Sequence, residues 1–324
     1  MPADAASPPA LPRATPETDA ALTALLGVLD AIDYQFVTPT PATHARVLRR
    51  ADKRRATSLR DVFGWSLPFE ADVLDPALFE QLRGADVITH SEAGFRSRVR
   101  VSSLGSLLFL HSPYPTDDHD AVFLGPDSYR FSDFIARQLE PLPERPRIVD
   151  IGAGAGVGGI VAGKLRADAE VWLTDVNAKA LHLAEINAAF ASVAVTTCEG
   201  PGLSCAEGAF DAALINPPYI IDNSNRAYRD GGALHGAQMA LDLALEAAER
   251  LNPGGRLLLY TGAPVVDGRD ELKTALEPRL RELGFDLHYE ELDPDVFGEE
   301  LERPEYADVE RITLIGAVAV RRDR

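Results

Sequence analysis

The run from Ile148 to Gly158 constrains the fold of this chain more than any other segment. Three of its first four residues are apolar and β-branched, and the other is the acid Asp150. Four glycines follow between Gly152 and Gly158. β-Branched residues favour a strand, and glycines allow a tight turn and a close approach of the backbone to a ligand. The apolar segment 160–165 then has the character of a helix. The run predicts a strand, a glycine loop and a helix, which are the first elements of an α/β sheet.

The rest of the second half repeats this alternation of strands and helices. The periodicity predicts strands over 170–174, 193–197, 211–215, 256–260, 285–291 and 311–320. Helices are predicted over 237–251 and 270–283, with a break at 252–255. Ligands of open α/β sheets bind beyond the carboxyl ends of the strands, so the ends of the first four predicted strands should meet at a site.

A run of four residues, Asn216-Pro217-Pro218-Tyr219, directly follows the fourth of these strands. The two prolines end the strand, because each lacks an N–H and fixes φ. Asn216 offers a carboxamide oxygen, Pro217 a backbone carbonyl, and Tyr219 a flat aromatic face. Such a set can accept both N–H bonds of a planar NH2 group while the ring stacks on its plane, which orients the nitrogen lone pair toward an electrophile. The alternative is a simple β-turn after a strand.

The glycine loop by itself is compatible with a dinucleotide as well. Asp175 follows Gly152 by 23 residues, which is where a ribose-binding carboxylate stands in nicotinamide-binding proteins. Asp150, an acid just ahead of the glycines, favours methyl transfer over hydride transfer when it is taken together with Asn-Pro-Pro-Tyr.

Residues 122–320 resemble a class I S-adenosylmethionine-dependent methyltransferase, within the group whose Asn-Pro-Pro-Tyr motif modifies planar nitrogens. The similarity is greatest to release-factor glutamine N-methyltransferases and to small-domain rRNA base methyltransferases. Pro126-Asp127-Ser128 resembles a Pro-Asp-Thr stretch of the glutamine enzymes. Gly125 and Tyr129 stand where those enzymes carry an arginine and a glutamate, and the segment 226–232 is closer to a less characterised branch. The resemblance implies S-adenosylmethionine as cofactor and a Rossmann-like sheet of seven strands, the last inserted antiparallel.

The resemblance and the strand ends together assign the site residues. The predicted catalytic residues are Asn216, Pro217 and Tyr219. The predicted cofactor-binding residues are Asp150, Gly152, Gly154, Gly156, Asp175, Glu199, Gly200 and Asn216. The predicted substrate-binding residues are Pro218, Arg226, Tyr228 and Arg229, of which the last three lie in a polar loop over 222–236 that is either a substrate lid or a solvated connection.

Three of the cofactor assignments have alternatives. Asp175 either meets the ribose hydroxyls or caps the following helix. Asp150 either meets the methionine ammonium, orders the glycine loop or is purely structural. Pro201 stands where family members often place an acid that reads the adenine amine, so Glu199 or the backbone near Gly200 is expected to substitute.

The N-terminal part has a separate organisation. Residues 1–18 carry proline, alanine and scattered charge without periodicity, which predicts a disordered tail. From Ala20 onward, leucines at helical spacing predict an amphipathic helix rather than a signal-peptide core. Further patterns predict one helix and three strands, over 77–82, 87–89, 95–101 and 107–110. Residues 19–116 are therefore predicted to form a winged-helix-like α+β substrate-recognition domain, and residues 117–324 the methyltransferase domain.

One short segment of this N-terminal part has a local excess of positive charge, although the chain as a whole has a net charge of -18. Residues 46–60 hold six arginines and one lysine against the single acid Asp52. Period-two alternation places Arg96, Arg98 and Arg100 on one face of a predicted strand. A basic helix and a basic wing could contact RNA or DNA phosphates, or simply balance an acidic catalytic domain.

Composition limits the other functions. The two cysteines, Cys198 and Cys205, do not support a disulfide framework, and the histidines and acids lack metal-ligand spacing, so no metal is expected. No apolar run approaches the roughly 20 residues that span a bilayer, and we expect a cytoplasmic protein without a membrane partner. The segment 290–310 carries ten acids and one arginine, which predicts a solvated face or a surface that attracts a basic protein.

Three functions remain, of different kinds. The first is methylation of a glutamine amide in a protein substrate. The second is methylation of an exocyclic amine on an RNA or DNA base, for which the arginine-rich module is the distinguishing feature. The third is a catalytically silent protein that keeps the cofactor fold as a scaffold. A small-molecule N-methyltransferase is the further alternative.

Overall fold

The computed structural model of the chain describes residues 9–116, 118–221 and 230–323. In the N-terminal part the elements are α1 (Pro16–Asp30), α2 (Pro41–Leu48), α3 (Leu59–Phe63), α4 (Pro76–Gly84), β1 (Ile88–Ser91), β2 (Gly94–Ser97), β3 (Arg100–Leu104) and β4 (Leu107–His111). The remaining elements are α5 (Pro126–Gln138), β5 (Arg147–Ile151), α6 (Val157–Leu165), β6 (Glu170–Asp175), α7 (Ala178–Phe190), β7 (Val195–Glu199), β8 (Phe210–Ile215), α8 (Gln238–Glu249), β9 (Leu251–Val266), β10 (Arg269–Asp270), α9 (Glu271–Glu282), β11 (Phe285–Asp293) and β12 (Arg311–Arg321).

The central sheet has the strand order β11-β12-β9-β8-β5-β6-β7, and the short β10 pairs with β9. Strands β5 to β9 pair in parallel, whereas β12 lies antiparallel between β9 and β11. The predicted α/β fold with a seven-stranded, Rossmann-like sheet and an inserted antiparallel last strand is confirmed. The order of the strands reverses between β5 and β8, so a crevice opens at their carboxyl ends.

Strand β9 differs most from its predicted bounds. It runs from Leu251 to Val266, so the break predicted at 252–255 lies inside the strand. The pairing with β8 shifts register there, because Phe210 pairs with Leu251 while Ala212 pairs with Arg256. Residues 252–255 therefore form a bulge-like irregularity in β9, and the pairing with β8 resumes after it. Beyond Tyr260 the strand is extended by β12, which pairs with it as far as Val265.

The N-terminal module, residues 9–116, contains two separate hairpins, β1–β2 and β3–β4, whose apolar side chains share a hydrophobic core with α1. Helix α1 begins at Pro16, inside the predicted tail, because the Thr15 hydroxyl accepts a hydrogen bond from the Thr18 N–H and caps the helix. The predicted strand over 95–101 is wrong, since β2 ends at Ser97 and β3 begins at Arg100. The Ser97 hydroxyl donates to the Val99 carbonyl at 2.7 Å, which stabilises the turn between them.

The predicted basic face of that strand is also wrong. Arg100 is 3% exposed, its Nε donates to the Gly64 carbonyl at 3.0 Å, and its guanidinium lies 5.5 Å from the centre of the Phe36 ring. Burial lowers the pKa of Arg100 to about 10. Arg96 and Arg98 are partly exposed and belong to the other hairpin and the turn. The three arginines therefore do not form a shared surface.

One hydrophobic core extends across the predicted domain boundary at 116/117. It includes Leu25 of α1, Phe109 of β4, Ile135 of α5 and Val318 of β12. A second cluster on the opposite face of the sheet contains side chains from β5, β8, β9, α8 and α9. The division of the chain into two domains stays a prediction. In residues 9–116, 118–221 and 230–323, no helix has the length and apolar character needed to cross a membrane.

The shared core predicts that the N-terminal module and the large sheet unfold together. Leu22 is fully buried in this core, so Leu22→Ala should destabilise the chain by about 2–5 kcal/mol. Urea unfolding followed by far-UV and near-UV circular dichroism should give one coincident transition, shifted to lower urea in the variant. Two separate transitions, of which only one moves, would instead show two independent domains.

Candidate active site at the carboxyl edge of the sheet

A cavity of about 260 Å³ lies at the carboxyl ends of β5, β6, β7 and β8. Its walls also include the linker 121–123 and the side chains of Ser128, Phe131, Met239 and Leu243. Among the predicted site residues it brings together Asp150, Gly152, Gly154, Asp175, Gly200, Asn216, Pro217 and Pro218. Gly156, Glu199 and Tyr219 do not line it. The reversal of strand order therefore brings eight of the predicted site residues to one cavity, and their roles stay predictions.

The glycine loop is held in position by the neighbouring strand. The N–H groups of Gly152 and Ala153 both donate to the Thr174 carbonyl, at 2.8 and 2.9 Å. Gly152 has φ of 72° and Gly156 has φ of 82°, which glycine adopts without strain. An added Cβ at Gly152 would meet no atom, whereas at Gly156 it would lie 3.0 Å from the Ala184 Cβ. Gly152 thus leaves the backbone open to a ligand, and Gly156 allows α6 to pack against α7.

Asp150 connects the first strand with the helix that follows the glycine loop. It is 2% exposed, and its Oδ2 accepts a hydrogen bond from the Gly159 N–H at 2.7 Å. Burial raises the pKa of this carboxyl from 3.8 to about 7, with a contribution from nearby Asp175. A Cβ at position 158 would lie 2.8 Å from Oδ2, so only glycine lets the helix approach so closely. Of the predicted alternatives, the structure shows that Asp150 orders the loop and its helix while also lining the cavity.

Asp175 presents its carboxylate at the end of β6. Oδ2 accepts from the Gly154 N–H and Oδ1 from the Asn177 N–H, each at 2.9 Å. Partial burial raises the pKa of this carboxyl. The alternative role as helix cap is wrong, because the cap of α7 is Asn177, whose side chain accepts from the Lys179 N–H.

The Asn-Pro-Pro-Tyr run divides between the cavity and the core. Asn216 is partly exposed and lines the cavity with Pro217 and Pro218. Tyr219 is 8% exposed, and its ring lies so close to Gly262 that a Cβ there would be 2.4 Å from the ring carbon Cδ2. Its other neighbour is Phe297, whose ring meets it edge-on at 5.5 Å. The structure therefore does not present the flat face of Tyr219 to the cavity, contrary to the predicted stacking role.

Asp127 is the residue near the site whose role the sequence did not suggest. Its Oδ2 accepts from the Tyr219 hydroxyl at 2.8 Å and its Oδ1 from the Tyr260 hydroxyl at 3.2 Å. Asp127 lies in the first turn of α5, next to Ser128 in the cavity wall. The sequence feature that could have indicated this role is the position of Asp127 in the Pro126-Asp127-Ser128 stretch. This carboxyl group links that motif to the Asn-Pro-Pro-Tyr run.

Arg226, Tyr228 and Arg229 lie outside the described residues, so the predicted substrate lid stays a prediction. Where the description resumes, the Gly231 N–H donates to the Ile220 carbonyl at 2.9 Å. Further along, His235 contacts Glu271 through Nδ1 at 2.7 Å and Asp308 through Nε2 at 3.0 Å. The second half of the loop is therefore tied to the strand end and to the acidic segment.

Cys198 and Cys205 are joined by a single disulfide, a pairing that the sequence did not indicate. The bond closes a loop at the end of β7 whose members Gly200, Pro201 and Gly202 line the cavity. Glu199 is exposed and outside the lining. Within the part of the chain that the structure describes, no three potential metal-ligating side chains come together.

Comparisons with known proteins agree with this geometry. Residues 119–276 match the sequence model of the methyltransferase small domain family. Over 168 residues the chain is 34% identical to the release factor glutamine methyltransferase of Deinococcus radiodurans, covering 48% of this chain and 56% of the relative. Residues 119–276 are therefore similar to the methyltransferase small domain family.

Two further similarities accompany this match. Over 117 residues the chain is 31% identical to the ribosomal RNA small subunit methyltransferase C of Haemophilus influenzae, covering 36% of this chain and 32% of that protein. A crystal structure of a methyltransferase from Pyrococcus furiosus superposes with a TM-score of 0.44 and 18% identity, covering 63% of this chain and 89% of that one. The chain spans about half the length, or less, of the relatives it matches.

The raised pKa of Asp150 predicts that Asp150→Asn changes the stability of the chain in a pH-dependent way. Between about pH 4 and pH 7 the folded chain holds a proton that the unfolded chain has released, so the stability of the parent falls as the pH rises through this window. The variant holds no such proton and keeps an oxygen for the Gly159 N–H. Its free energy of unfolding relative to the parent should therefore increase between about pH 5 and pH 8, as measured by urea unfolding. A constant difference would mean that this carboxyl does not titrate there.

Proposed function

We propose that this protein is an N-methyltransferase that uses S-adenosylmethionine to methylate a planar nitrogen, most directly the amide of a glutamine in a protein. The observation that carries the proposal is the position of Asn216 and Pro217. They lie at the carboxyl end of β8, in the wall of the same cavity that the glycine loop and Asp175 line. Acceptors for N–H groups are thus placed beside a cofactor cavity.

The residues of the cavity fit S-adenosylmethionine. The Asp175 carboxylate, oriented by two backbone N–H groups, suits the vicinal hydroxyls of a ribose. Val176, which follows it, exposes 56% of its surface and offers an apolar contact for a base. Asp150 is proposed to meet the ammonium through Oδ1, while Oδ2 remains with Gly159. Gly200, with Glu199 nearby, is proposed for the adenine side. When bound, the cofactor supplies a methyl group already activated on a sulfonium.

The chain itself then contributes alignment and hydrogen bonding. The Asn216 carboxamide oxygen and the Pro217 carbonyl are proposed to accept the two N–H bonds of the substrate, which stabilises positive charge as it develops on nitrogen. The nitrogen would form its bond to the methyl carbon as the bond from that carbon to the sulfonium sulfur breaks, with a neutral thioether as the leaving group, and would then release one proton to solvent. Pro217 and Pro218 limit backbone motion at the strand end. The Tyr219 hydroxyl donates a hydrogen bond to Asp127, and this bond holds the Asn-Pro-Pro-Tyr run against α5.

Two observations favour a glutamine amide. The first relative is named a release factor glutamine methyltransferase, and it shares the larger aligned segment with this chain. The Pro126-Asp127-Ser128 stretch, which resembles the glutamine enzymes, is in contact with the Asn-Pro-Pro-Tyr run through Asp127. We propose that the protein substrate enters over Pro218 and the loop that carries Arg226, Tyr228 and Arg229.

Substitutions at two positions should separate catalysis from cofactor binding. Asn216→Ala should abolish methyl transfer while the affinity for S-adenosylmethionine changes little, because its oxygen is proposed to bind the substrate. Asp175→Ala should weaken cofactor binding by roughly 10- to 100-fold, because two hydrogen bonds to a charged acceptor are lost. Isothermal titration calorimetry and transfer of a labelled methyl group measure the two effects.

Asn252→Ala is a matched control for these variants. Asn252 donates to Asp211 at 2.8 Å, outside the cavity lining, and its loss should change neither quantity. Full activity of Asn216→Ala would refute its catalytic role. Absence of cofactor binding by the parent would instead favour the scaffold alternative.

A second candidate substrate is the exocyclic amine of an RNA base, and the arginines of the segment 46–55, at the end of α2 and after it, favour it. Arg46, Arg49, Arg50 and Arg54 are exposed and have no ion-pair partner among the described residues. The other cations of the segment are engaged, since Lys53 pairs with buried Asp61 at 2.7 Å and Arg55 pairs with Glu70. Four free guanidinium groups on one short segment suit phosphate oxygens.

The nature of the substrate can be tested with a lysate of the source organism that lacks this gene. The lysate is incubated with the protein and methyl-labelled S-adenosylmethionine and then treated with protease or with RNase. Label that only protease removes supports the glutamine amide. Label that only RNase removes supports the base.

In the second case, replacing Arg46, Arg49, Arg50 and Arg54 by glutamine should reduce labelling at least tenfold, because about four phosphate contacts are lost. In the matched control, four exposed arginines of the C-terminal part, Arg137, Arg269, Arg279 and Arg281, are replaced by glutamine. The control variant then has the same net charge as the test variant. Equal losses in both variants would show a general charge effect rather than a specific RNA surface.

A further inference from the structure

Asn187, near the end of α7, connects the N-terminal module with the glycine loop. Its side chain is fully buried. Oδ1 accepts from the Leu110 N–H at 2.8 Å, and Nδ2 donates both to the Leu110 carbonyl at 3.1 Å and to the Ala155 carbonyl at 3.0 Å. One carboxamide thus makes a two-way hydrogen bond with the backbone of β4 and a third bond with the loop that forms the cavity.

A buried carboxamide is retained only where its hydrogen bonds are satisfied, because burial without them costs free energy. The neighbours of Asn187 one turn earlier on this face of α7 are the buried apolar residues Leu183 and Ala184, which need no polar partner. Packing by itself would be served by an apolar residue at position 187. The three hydrogen bonds therefore point to a requirement for a defined connection between β4 and Ala155.

Ala155 is a sensitive position in the loop. It lines the cavity and stands between Gly154, with φ of 53°, and Gly156, with φ of 82°. Glycines do not restrict the backbone through a side chain, so the orientation of the Ala155 peptide depends on its hydrogen bonds. The N–H groups on the other side of the loop are held by Thr174 and Asp175. The Ala155 carbonyl is held by Asn187.

We propose that Asn187 is a positioning residue for the cofactor site, and that the β3–β4 hairpin is its anchor. The N-terminal module then takes part in cofactor binding as well as in substrate recognition. This inference rests on the proposed use of S-adenosylmethionine.

The cavity-wall linker has the same double attachment. The Val122 N–H donates to the Ser112 hydroxyl at 2.8 Å, and the Asn177 side chain donates to the Asp120 carbonyl at 2.8 Å. One end of the linker is thus bonded to the residue after β4, and the other to the cap of α7. The linker is therefore held both by the N-terminal module and by the cap of α7, as the glycine loop is held through Asn187.

The test compares Asn187→Leu with Ser102→Ala. Leucine has the same number and branching of side-chain heavy atoms as asparagine, so the first change removes the hydrogen bonds without opening a cavity. Ser102, on β3 of the same hairpin, is also fully buried and bonds to Thr38 at 2.6 Å and His111 at 2.8 Å, away from the cavity lining. Both variants should lower the melting temperature. Only Asn187→Leu should raise the calorimetric Kd for S-adenosylmethionine, by about tenfold.

Hydrogen exchange of the cofactor-free protein gives a second measurement that does not depend on the cofactor. The amides of 152–156 should exchange faster in Asn187→Leu than in the parent and should be unchanged in Ser102→Ala. Asn187→Ser, which keeps a smaller polar group, should act in the same direction and serves if the leucine variant does not fold. Equal changes in exchange in Asn187→Leu and Ser102→Ala would overturn the proposal. Unchanged exchange in both Asn187→Leu and Asn187→Ser would also overturn it. If the parent itself does not bind S-adenosylmethionine, the proposed function fails, while the exchange measurement still decides the role of Asn187.

Discussion

The reversal of strand order between β5 and β8 is the constraint on which the candidate site depends. Right-handed crossover connections carry the chain from β5 outward to β7 on one side, and from β8 outward to β9 on the other. The loops after β5 and β8 therefore part above the sheet and leave a crevice. The glycine loop enters it from one strand and Asn216 from the other. The chemical groups that we propose to act together are neighbours only because these two strands are paired.

Buried polar side chains fix the backbone around this crevice. Asp150 holds the start of α6, Asp127 holds the tyrosine of the Asn-Pro-Pro-Tyr run, and Asn187 holds Ala155. Each lies in an apolar core, where an unpaired polar group would be costly, and each bonds to a segment that lines the cavity or adjoins it. Such contacts allow loops rich in glycine and proline to keep one conformation.

The success of the sequence predictions depended on the range of the interactions involved. The strand before Gly152, the positions of Asp175 and Asn216 and the inserted last strand were correct, because they follow from local periodicity or from the resemblance. The shared face of Arg96, Arg98 and Arg100 was wrong, because a turn at Ser97 interrupts the alternation and Arg100 enters the core. The predicted stacking role of the Tyr219 ring does not fit its position, because Asp127, 92 residues earlier, accepts a hydrogen bond from its hydroxyl and the ring is buried outside the cavity lining. The pairing of Cys198 with Cys205 depended on how the chain turns after β7.

The sequence by itself determined the α/β class, the order of strands and helices and the identity of the two loops at the site. Those features arise from the side-chain periodicity of single elements and from residues that restrict or free the backbone. Only the tertiary structure decided which carboxylates and amides support these loops, and that the N-terminal module shares a core with the sheet. Contacts such as Leu110 with Asn187 join residues 77 positions apart, and no local pattern records them.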